Sequence, residues 1–303
     1  MRSIRLENSR SALLTLATYV GWIGLFRLIA LTLITYFLLG SQPKYQDIID
    51  VFGAQELVLM AAAAGIFVAL LVGLNPLTST PKAEVITWQR IRHRFLPGAL
   101  LGLGLGVFIL IALLAGGKYR FFGSLLNSEE GPLAFLGVLL RTVAIAIWVY
   151  AEEFLFRHKL LSSLRKDFDD LRAILITSAL YCVVKHFQFD LGWAQTFTLF
   201  LASWVLALRS IRQGDFARGA GIWAGMLVAF QPLSSLPLFG SDFQGLLLIR
   251  YESGLSGEPD WFRWVTGGAG GPLSSLSLQM LLAVETLQHF LRDKKFLPKP
   301  KTP

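Results

Sequence analysis

Eight apolar blocks, each close to the length that crosses a lipid bilayer, dominate the sequence of this 303-residue chain. A transmembrane helix needs about 20 mainly apolar residues. The blocks lie at about residues 17–40, 54–74, 95–116, 132–156, 171–189, 191–209, 219–238 and 272–291. Because hydrocarbon offers no partner to backbone N–H and C=O groups, a block that crosses the bilayer alone has to be helical. We therefore predict an all-α, polytopic integral membrane protein with about eight transmembrane helices.

The composition leaves little room for a separate soluble domain. Hydrophobic residues make up 54% of the chain and charged residues 16%, whereas a soluble domain carries roughly 25% charged residues. No internal repeat is visible, so we predict a single membrane domain over residues 1–303. The net charge of +8 does not indicate a nucleic-acid partner, because the basic residues lie in short segments between apolar blocks and not on one face. The lipid bilayer is the predicted surrounding.

Lysine and arginine are distributed unevenly over the segments that connect the blocks. With the N-terminus placed inside, twenty of them fall on the inner side and six on the outer side. Cytoplasmic loops of membrane proteins carry such an excess. The bias predicts that both termini face the cytoplasm (N-in, C-in), that the number of spans is even, and that the chain is a multi-pass protein of a cell membrane.

Two adjacent carboxylates, Glu152 and Glu153, lie at the end of the fourth block, with Arg157 four residues after the second. Residues i and i+4 share a helix face, so Glu153 and Arg157 can form an ion pair. Glu152 points about 100° away from that face and is left for another role. Ionisable groups within membrane spans are costly and usually functional. A glutamate here can act as a general base, or the group can be a salt bridge at the membrane edge.

A second polar group, Lys185-His186, lies near the end of the next block. The connection between the two blocks centres near Phe168, with Glu152 sixteen residues before it and His186 eighteen residues after it. In two antiparallel helices these side chains reach nearly the same depth. A carboxylate and an imidazole at one depth can activate a water molecule. The alternative is that His186 is a hydrogen-bonded core residue without a catalytic role.

Two arginines also fall within the predicted spans. Arg141 lies eleven residues before Glu152, about three helical turns away and close to the same face. Arg27 lies in the first block. Each can neutralise the carboxylates or extend its charged end to the membrane surface, and the sequence does not decide between these roles.

Metal binding is not indicated by the residues available. The chain has one cysteine, Cys182, and four scattered histidines. A catalytic zinc site usually takes three protein ligands, and such a set is hard to assemble here. We predict neither a metal nor another cofactor.

The string EEFLFR at residues 152–157, followed by His186 on the next helix, resembles the motifs of the CAAX-protease and bacteriocin-processing family. These proteins are glutamic-type intramembrane proteases. Their first motif has two glutamates, three further residues and an arginine at the end of one membrane helix. A histidine motif follows on the next helix, as it does here. The resemblance extends over roughly residues 132–238, which we predict to be a protease-like core.

The resemblance implies an intramembrane endopeptidase of the bacterial inner membrane. Glu152 would be the base that activates water for attack on a peptide bond, and His186 would assist it. Glu153 and Arg157 would brace the site. No covalent enzyme intermediate, metal or other cofactor is implied. The substrate would be a membrane-anchored or exported protein or peptide.

The chain departs from the family's second and third motifs. The second motif usually reads Phe, three residues, His, whereas Cys182 stands four positions before His186 with Tyr181 beside it. The third motif is a histidine followed four residues later by Asn or Asp, and the helix predicted at 219–231 contains no histidine. In one alignment Gln231 still offers an oxyanion donor. In another, apolar residues occupy both motif positions.

These departures leave two principal hypotheses. Losing an oxyanion donor typically lowers the rate about 10²–10³-fold, so the chain is either a divergent protease with another donor or an inactive member that acts as a membrane scaffold or chaperone. A small transporter is a third hypothesis, which we rank last because no internal symmetry of the kind transporters often show is visible.

Overall fold

The computed structural model describes residues 7–38, 45–73, 87–117, 119–127, 131–239, 244–252 and 265–292. Most of these residues are helical. The α-helices are α1 (Glu7–Leu38), α2 (Tyr45–Gly73), α3 (Trp88–Arg90), α4 (Leu96–Ala115), α5 (Gly131–Glu153), α6 (Ser162–Asp167), α7 (Asp170–Gln188), α8 (Trp193–Gln213), α9 (Ala217–Val228) and α10 (Leu276–Arg292). Wider π-helical turns precede α4 and continue α5 and α9, at Ile91–Phe95, Phe154–Leu161 and Ala229–Leu233.

Each of the eight apolar blocks contains an α-helix, so their helical character is confirmed. Within the described ranges, four helical stretches are long and apolar enough to cross a membrane: Ser9–Leu33, Trp88–Ala115, Phe135–Asp167 and Trp193–Gln213. Leu57–Val72 is a shorter apolar helix. The chain is thus a mostly helical membrane protein, while the number of eight spans and the N-in, C-in orientation stay predictions.

Helices α4 and α9 make the closest helix–helix contact that we describe. Their facing glycines, which we call the glycine seam, are Gly98, Gly102 and Gly106 of α4 and Gly221 and Gly225 of α9. A Cβ atom added to Gly102 would lie 1.9 Å from the carbonyl oxygen of Ile222. One added to Gly225 would lie 2.0 Å from the carbonyl oxygen of Ala99. Small residues spaced by four let membrane helices approach in this way.

The opposite face of α4 carries large apolar side chains. Leu100 and Phe108 are both 70% exposed, a degree of exposure that suits acyl chains rather than water as their surroundings. This division into a glycine face against protein and a bulky face toward lipid is typical of a membrane helix, because packing rather than hydrophobic burial drives association there.

Helices α1 and α2 contact each other next to α5. The indole nitrogen of Trp22 in α1 donates to the carbonyl oxygen of Ala63 in α2 at 2.9 Å. The rings of Tyr19 and Phe67 pack with centroids 5.3 Å apart. At the start of α1, the backbone N–H of Ser9 donates to the carboxylate of Asp167, which ends α6, at 2.9 Å. These contacts fix α1 so that Tyr19 lies buried against α5.

Two connecting segments form a short β-ribbon within the mostly helical structure. Strand β1 (Tyr119–Ser124) pairs antiparallel with β2 (Leu247–Tyr251), with a register shift between Phe121 and Gly123. The ribbon joins the segment after α4 to the segment after α9. It is anchored by the buried Tyr119 hydroxyl, which donates to the carbonyl oxygens of Thr266 and Gly268 at 3.1 and 3.0 Å. Burial raises the pKa of Tyr119 well above its ordinary value, so the hydroxyl keeps the proton that it donates.

Candidate active site

The turn between α6 and α7 brings α5 and α7 together as antiparallel neighbours. Phe168 and Asp169 both have extended backbone conformations, which end α6 and start α7. Glu152 lies sixteen residues before Phe168, and Lys185 lies seventeen residues after it. The two side chains therefore meet at nearly the same depth, as expected from nearly equal distances along two antiparallel helices.

Glu152 is held by three side chains from α1 and α7. Its Oε2 forms an ion pair with Nζ of Lys185. Its Oε1 accepts hydrogen bonds from Nε2 of Gln188 at 2.9 Å and from the hydroxyl of Tyr19 at 3.2 Å. Exposure is 2% for Glu152, 0% for Lys185 and 1% for Gln188. We call Tyr19, Glu152, Lys185 and Gln188 the polar cluster, and it is closed to the surroundings.

An aromatic cage surrounds the Lys185 ammonium on its remaining sides. Nζ lies 3.7 Å from the centroid of the Trp148 ring and 5.1 Å from that of Tyr181. Phe189 and Phe239 each lie 5.7 Å away. Nζ also donates to Oε1 of Gln188 at 3.0 Å. Cation–π contacts strengthen when the cation is desolvated, so this buried charge is compensated by a carboxylate, an amide and ring faces.

The predicted pair of Glu153 and Arg157 is present directly beneath the polar cluster. Nε of Arg157 lies 3.3 Å from Oε2 of Glu153, and both side chains are fully buried. Nη2 of Arg157 donates to the hydroxyl of Ser203 in α8 at 3.0 Å. The pair therefore links the end of α5 to α8. Arg157 lies in the wider turn Phe154–Leu161, and such π-helical turns are frequent at functional sites.

The structure does not bring His186 to Glu152. His186 is exposed, and its Nε2 lies 2.8 Å from the hydroxyl oxygen of Thr196 in α8. One residue further along a helix rotates a side chain by about 100°, and this rotation separates His186 from the face that carries Lys185. The catalytic role of His186 stays a prediction, and Lys185 is the neighbouring residue of α7 that contacts Glu152.

Gln231 is not among the side chains that contact Glu152. Its Oε1 accepts a hydrogen bond from Nε of Arg141 at 3.0 Å, and both side chains are buried. Arg141 lies eleven residues before Glu152 in α5, about 16 Å along the helix axis. This pair joins α5 to the turn after α9, so neither the oxyanion role of Gln231 nor a neutralising role of Arg141 is supported by a contact with Glu152.

Arg27 contacts the C-terminal end of α7. Its Nη1 donates to the carbonyl oxygens of Phe187 and Gln188 at 3.2 and 2.9 Å. Cations near the C-terminal end of a helix interact favourably with its unpaired carbonyl groups and its dipole. Arg27 thereby fixes the backbone of Gln188, whose side chain binds Glu152.

Three members of the polar cluster were not predicted as partners of Glu152: Tyr19, Lys185 and Gln188. A signal for two of them was present in the sequence. Ile174, Ser178, Tyr181, Lys185 and Gln188 recur at intervals of three or four residues, and all are buried. This period defines one helix face, and His186 falls outside it. Tyr19 had no comparable signal, because its position depends on how α1 packs against α5.

The described ranges contain no group of three or more His, Cys, Asp and Glu side chains placed to hold a metal ion. The chemistry-bearing groups that the structure does assemble are a carboxylate, an ammonium, an amide and a phenol, buried between α1, α5 and α7. This arrangement defines a helical membrane protein with a charged centre inside its bundle.

Comparison with known families agrees with this class. Residues 132–229 match the family model described as type II CAAX prenyl endopeptidase, Rce1-like. The match includes α5, α7, α8 and α9, and with them Glu152, Glu153, Arg157 and Lys185. This part of the chain is therefore similar to the CAAX-protease and bacteriocin-processing family, a family of membrane proteases, which supports the resemblance seen in the EEFLFR motif. No curated protein and no solved structure matches the chain.

Proposed function

We propose that the chain is an intramembrane endopeptidase in which Glu152 activates water to hydrolyse a peptide bond. The observation that carries the proposal is the buried ion pair of Glu152 and Lys185 in a segment that matches a protease family. Buried ionisable groups inside a membrane bundle are costly and are commonly retained for function. We further propose that residues 132–238 form the proteolytic core.

The proposed reaction uses Glu152 as base and then as acid. Its carboxylate takes a proton from a water molecule while the water oxygen attacks the carbonyl carbon of the scissile peptide. The tetrahedral intermediate then collapses, the C–N bond breaks, and Glu152 returns its proton to the leaving nitrogen. The products are a carboxylate and an amine, and no covalent enzyme intermediate forms. General acid–base catalysis of this kind contributes about 10²–10⁴-fold.

Lys185 is proposed as the electrophilic partner in place of His186. Its ammonium lies beside the carboxylate, where the negative charge of the tetrahedral oxygen would develop. A fixed cation in a site that excludes water stabilises such charge strongly. The third-motif histidine is missing, and Lys185 supplies a positive group in its place, whereas the neutral amide of Gln231 is hydrogen-bonded to Arg141.

Substrate entry has to open the polar cluster, because both oxygens of Glu152 have protein partners. The substrate would be a membrane-anchored or exported protein or peptide whose extended segment enters between the helices. The wider turn Phe154–Leu161 follows Glu153 directly. We propose that this turn absorbs the movement that separates Lys185 from Glu152 and admits water.

The same closed geometry favours a second candidate function. Since every oxygen of Glu152 is engaged within the protein, the ion pair also suits an inactive family member that acts as a membrane scaffold or chaperone. The two candidates differ in whether the exact position of the carboxylate matters or only its charge.

The test is comparative membrane proteomics of a strain that lacks the gene, complemented with the wild type, Glu152→Asp or Glu252→Asp. The first variant keeps the charge and withdraws the carboxylate by one methylene; a misplacement of about 1 Å can cost about 10²-fold in rate. Glu252 lies outside the cluster and pairs with Arg120, so its variant is the matched control. If the chain is a protease, uncleaved precursors should persist with Glu152→Asp and should disappear with the wild type and with Glu252→Asp. Equal complementation by a folded Glu152→Asp protein would contradict proteolysis and support the scaffold.

A further inference from the structure

The aromatic cage is completed by Phe239, which does not belong to a helix. Phe239 lies on the segment that follows the wider turn Ala229–Leu233, whereas Trp148 is carried by α5. The ring of Phe239 stacks on Phe189 with centroids 4.9 Å apart and meets Trp148 edge-on at 5.4 Å. Phe239 is 3% exposed. We call the space that this ring fills, bounded by Trp148, Phe189 and Lys185, the ring pocket.

The backbone of Phe239 has an unfavourable conformation. Its φ is 52°, in the left-handed region that bulky residues rarely adopt. Such conformations persist only where the surroundings hold them, and they cluster at ligand clamps and switch regions. The ring contacts hold Phe239 in place here. Because its segment is not helical, this ring can leave the pocket without unwinding a helix, and its backbone relaxes when it does.

Trp148 brings an unpaired hydrogen-bond donor to the same place. The side chain is buried, and its Nε1 has no hydrogen-bond partner within the ranges that the structure describes. A buried N–H group without an acceptor is destabilising, and each such group in a native structure calls for an explanation. The indole packs against the ring of Phe239 and the ammonium of Lys185. A ligand with a carbonyl oxygen beside an aromatic ring can supply the acceptor.

We propose that the ring pocket binds an aromatic side chain of the substrate polypeptide, and that Phe239 occupies the pocket until the substrate displaces it. An aromatic residue in a peptide has both features that the pocket can bind. Its ring can pack against Phe189 and Trp148 in the stacked and edge-on arrangements that aromatic rings prefer, and its carbonyl oxygen can accept from the indole N–H. The identity of the ligand as a substrate rests on the proposed proteolysis, whereas the pocket itself does not. Binding there brings the peptide beside Lys185 and Glu152.

The first experiment tests the pocket without proteolysis. Full-length wild type, Phe239→Gly and Phe216→Gly are unfolded by heat in detergent, with N-acetyl-phenylalaninamide, with N-acetyl-leucinamide or with no addition. Glycine adopts a positive φ without steric cost, so Phe239→Gly opens the pocket and relieves the backbone. Phe216 is the matched control, because it is also 3% exposed, packs on Tyr150 and has Arg90 at 5.7 Å from its ring centroid. It is the N-cap of α9, a position that tolerates glycine.

The phenylalanine amide is expected to raise the unfolding midpoint of Phe239→Gly by about 2 °C or more, since a ligand bound only by the folded state stabilises it. The wild type and Phe216→Gly should shift much less, and the leucine amide should shift Phe239→Gly less. Adding Trp148→Phe, which keeps a ring and removes the N–H, should reduce the shift. Equal shifts in the two glycine variants, or a shift that Trp148→Phe leaves unchanged, would overturn the proposal.

A second measurement uses the wild type and does not depend on the folding of a variant. N-acetyl-benzoylphenylalaninamide is photoactivated on the full-length protein in detergent, and the labelled peptides are identified by mass spectrometry. Labels are expected on peptides that contain Trp148 or Phe189, and an excess of N-acetyl-phenylalaninamide should suppress them. Labelling elsewhere only, or labelling that the excess does not suppress, would contradict the ring pocket.

The proteomic test of proteolysis separates the two proposals. With Phe239→Gly, precursors should be cleaved faster than with the wild type, and the cleaved bonds should lie next to aromatic residues. If the amide binds but folded Glu152→Asp complements as well as the wild type, the pocket stands and proteolysis fails. If cleavage depends on Glu152 but the amide does not bind, proteolysis stands and the ring pocket fails.

Discussion

The glycine seam and the polar cluster hold the same helix bundle together by opposite means. In the seam, α4 and α9 approach until their backbones are in contact at Gly102 and Gly225. In the polar cluster, α1, α5 and α7 are joined by hydrogen bonds and an ion pair between long polar side chains. Helix packing at the seam depends on glycines that have no Cβ atom. Helix packing at the polar cluster depends on the chemical identity of its side chains.

The difference follows from the solvent. Lipid tails are as apolar as leucine, so membrane helices gain little by burying apolar side chains against each other. Close packing and polar contacts are what remain, and this chain uses each in a different place. Either close packing or polar contacts would be enough to hold two helices together. The energetically costlier of the two, a buried ion pair, lies in the segment that matches the protease family, which is why we propose a function for the cluster and a packing role for the seam.

The largest expected effect on stability comes from removing one partner of the ion pair between Glu152 and Lys185. Lys185→Met leaves Glu152 buried without its cation, and removing one partner of a buried pair costs about 3–5 kcal/mol. The double variant Glu152→Gln/Lys185→Met removes both charges and should recover most of that stability. Unfolding in a denaturing detergent, followed by circular dichroism, measures both. A double variant no more stable than Lys185→Met would show that the pair does not hold the helices as described.

A smaller effect is expected at the seam, with a control on the same helix. Gly102→Ala places a Cβ against the carbonyl oxygen of Ile222 and should separate α4 from α9, at a cost of about 1–3 kcal/mol. Gly104→Ala meets nothing within 4 Å, and alanine is the better helix former by about 1 kcal/mol. We expect the thermal midpoint to fall for the first variant and to hold or rise for the second. Equal shifts of the two thermal midpoints would contradict the close approach of α4 and α9 at the glycine seam.

The sequence was sufficient for features that depend on spacing along one helix. The apolar blocks predicted the helices, and the i, i+4 rule predicted the contact between Glu153 and Arg157, which the structure confirms. The fourfold spacing of Gly98, Gly102 and Gly106 was visible too, but its meaning required the matching glycines of α9 to be placed opposite. Features local to one helix are therefore predictable, because 3.6 residues per turn fixes them.

Features that depend on the relation between helices were not predictable in the same way. The choice between Lys185 and His186 depends on the rotation of α7 about its axis, and an error of one residue turns a side chain by about 100°. Gln231 was a candidate oxyanion donor in one alignment with the third motif, and the structure pairs its side chain with Arg141. The ribbon of β1 and β2 joins segments more than 100 residues apart. The sequence of neither strand indicates which segment it pairs with.

The smallest expected effect distinguishes the two candidates on α7. His186→Ala removes an exposed ring whose described contact is with Thr196, and surface substitutions of this kind usually change stability by less than about 0.5 kcal/mol. If Lys185 is the partner of Glu152, precursor processing by His186→Ala should equal that of the wild type, while Lys185→Arg, which keeps the charge but changes its shape, should lose most of it. Quantitative mass spectrometry of the precursors, alongside the amount of folded protein, makes the comparison. A loss of tenfold or more confined to a folded His186→Ala would return the catalytic role to the histidine, and would mean that α7 rotates toward Glu152 when substrate binds.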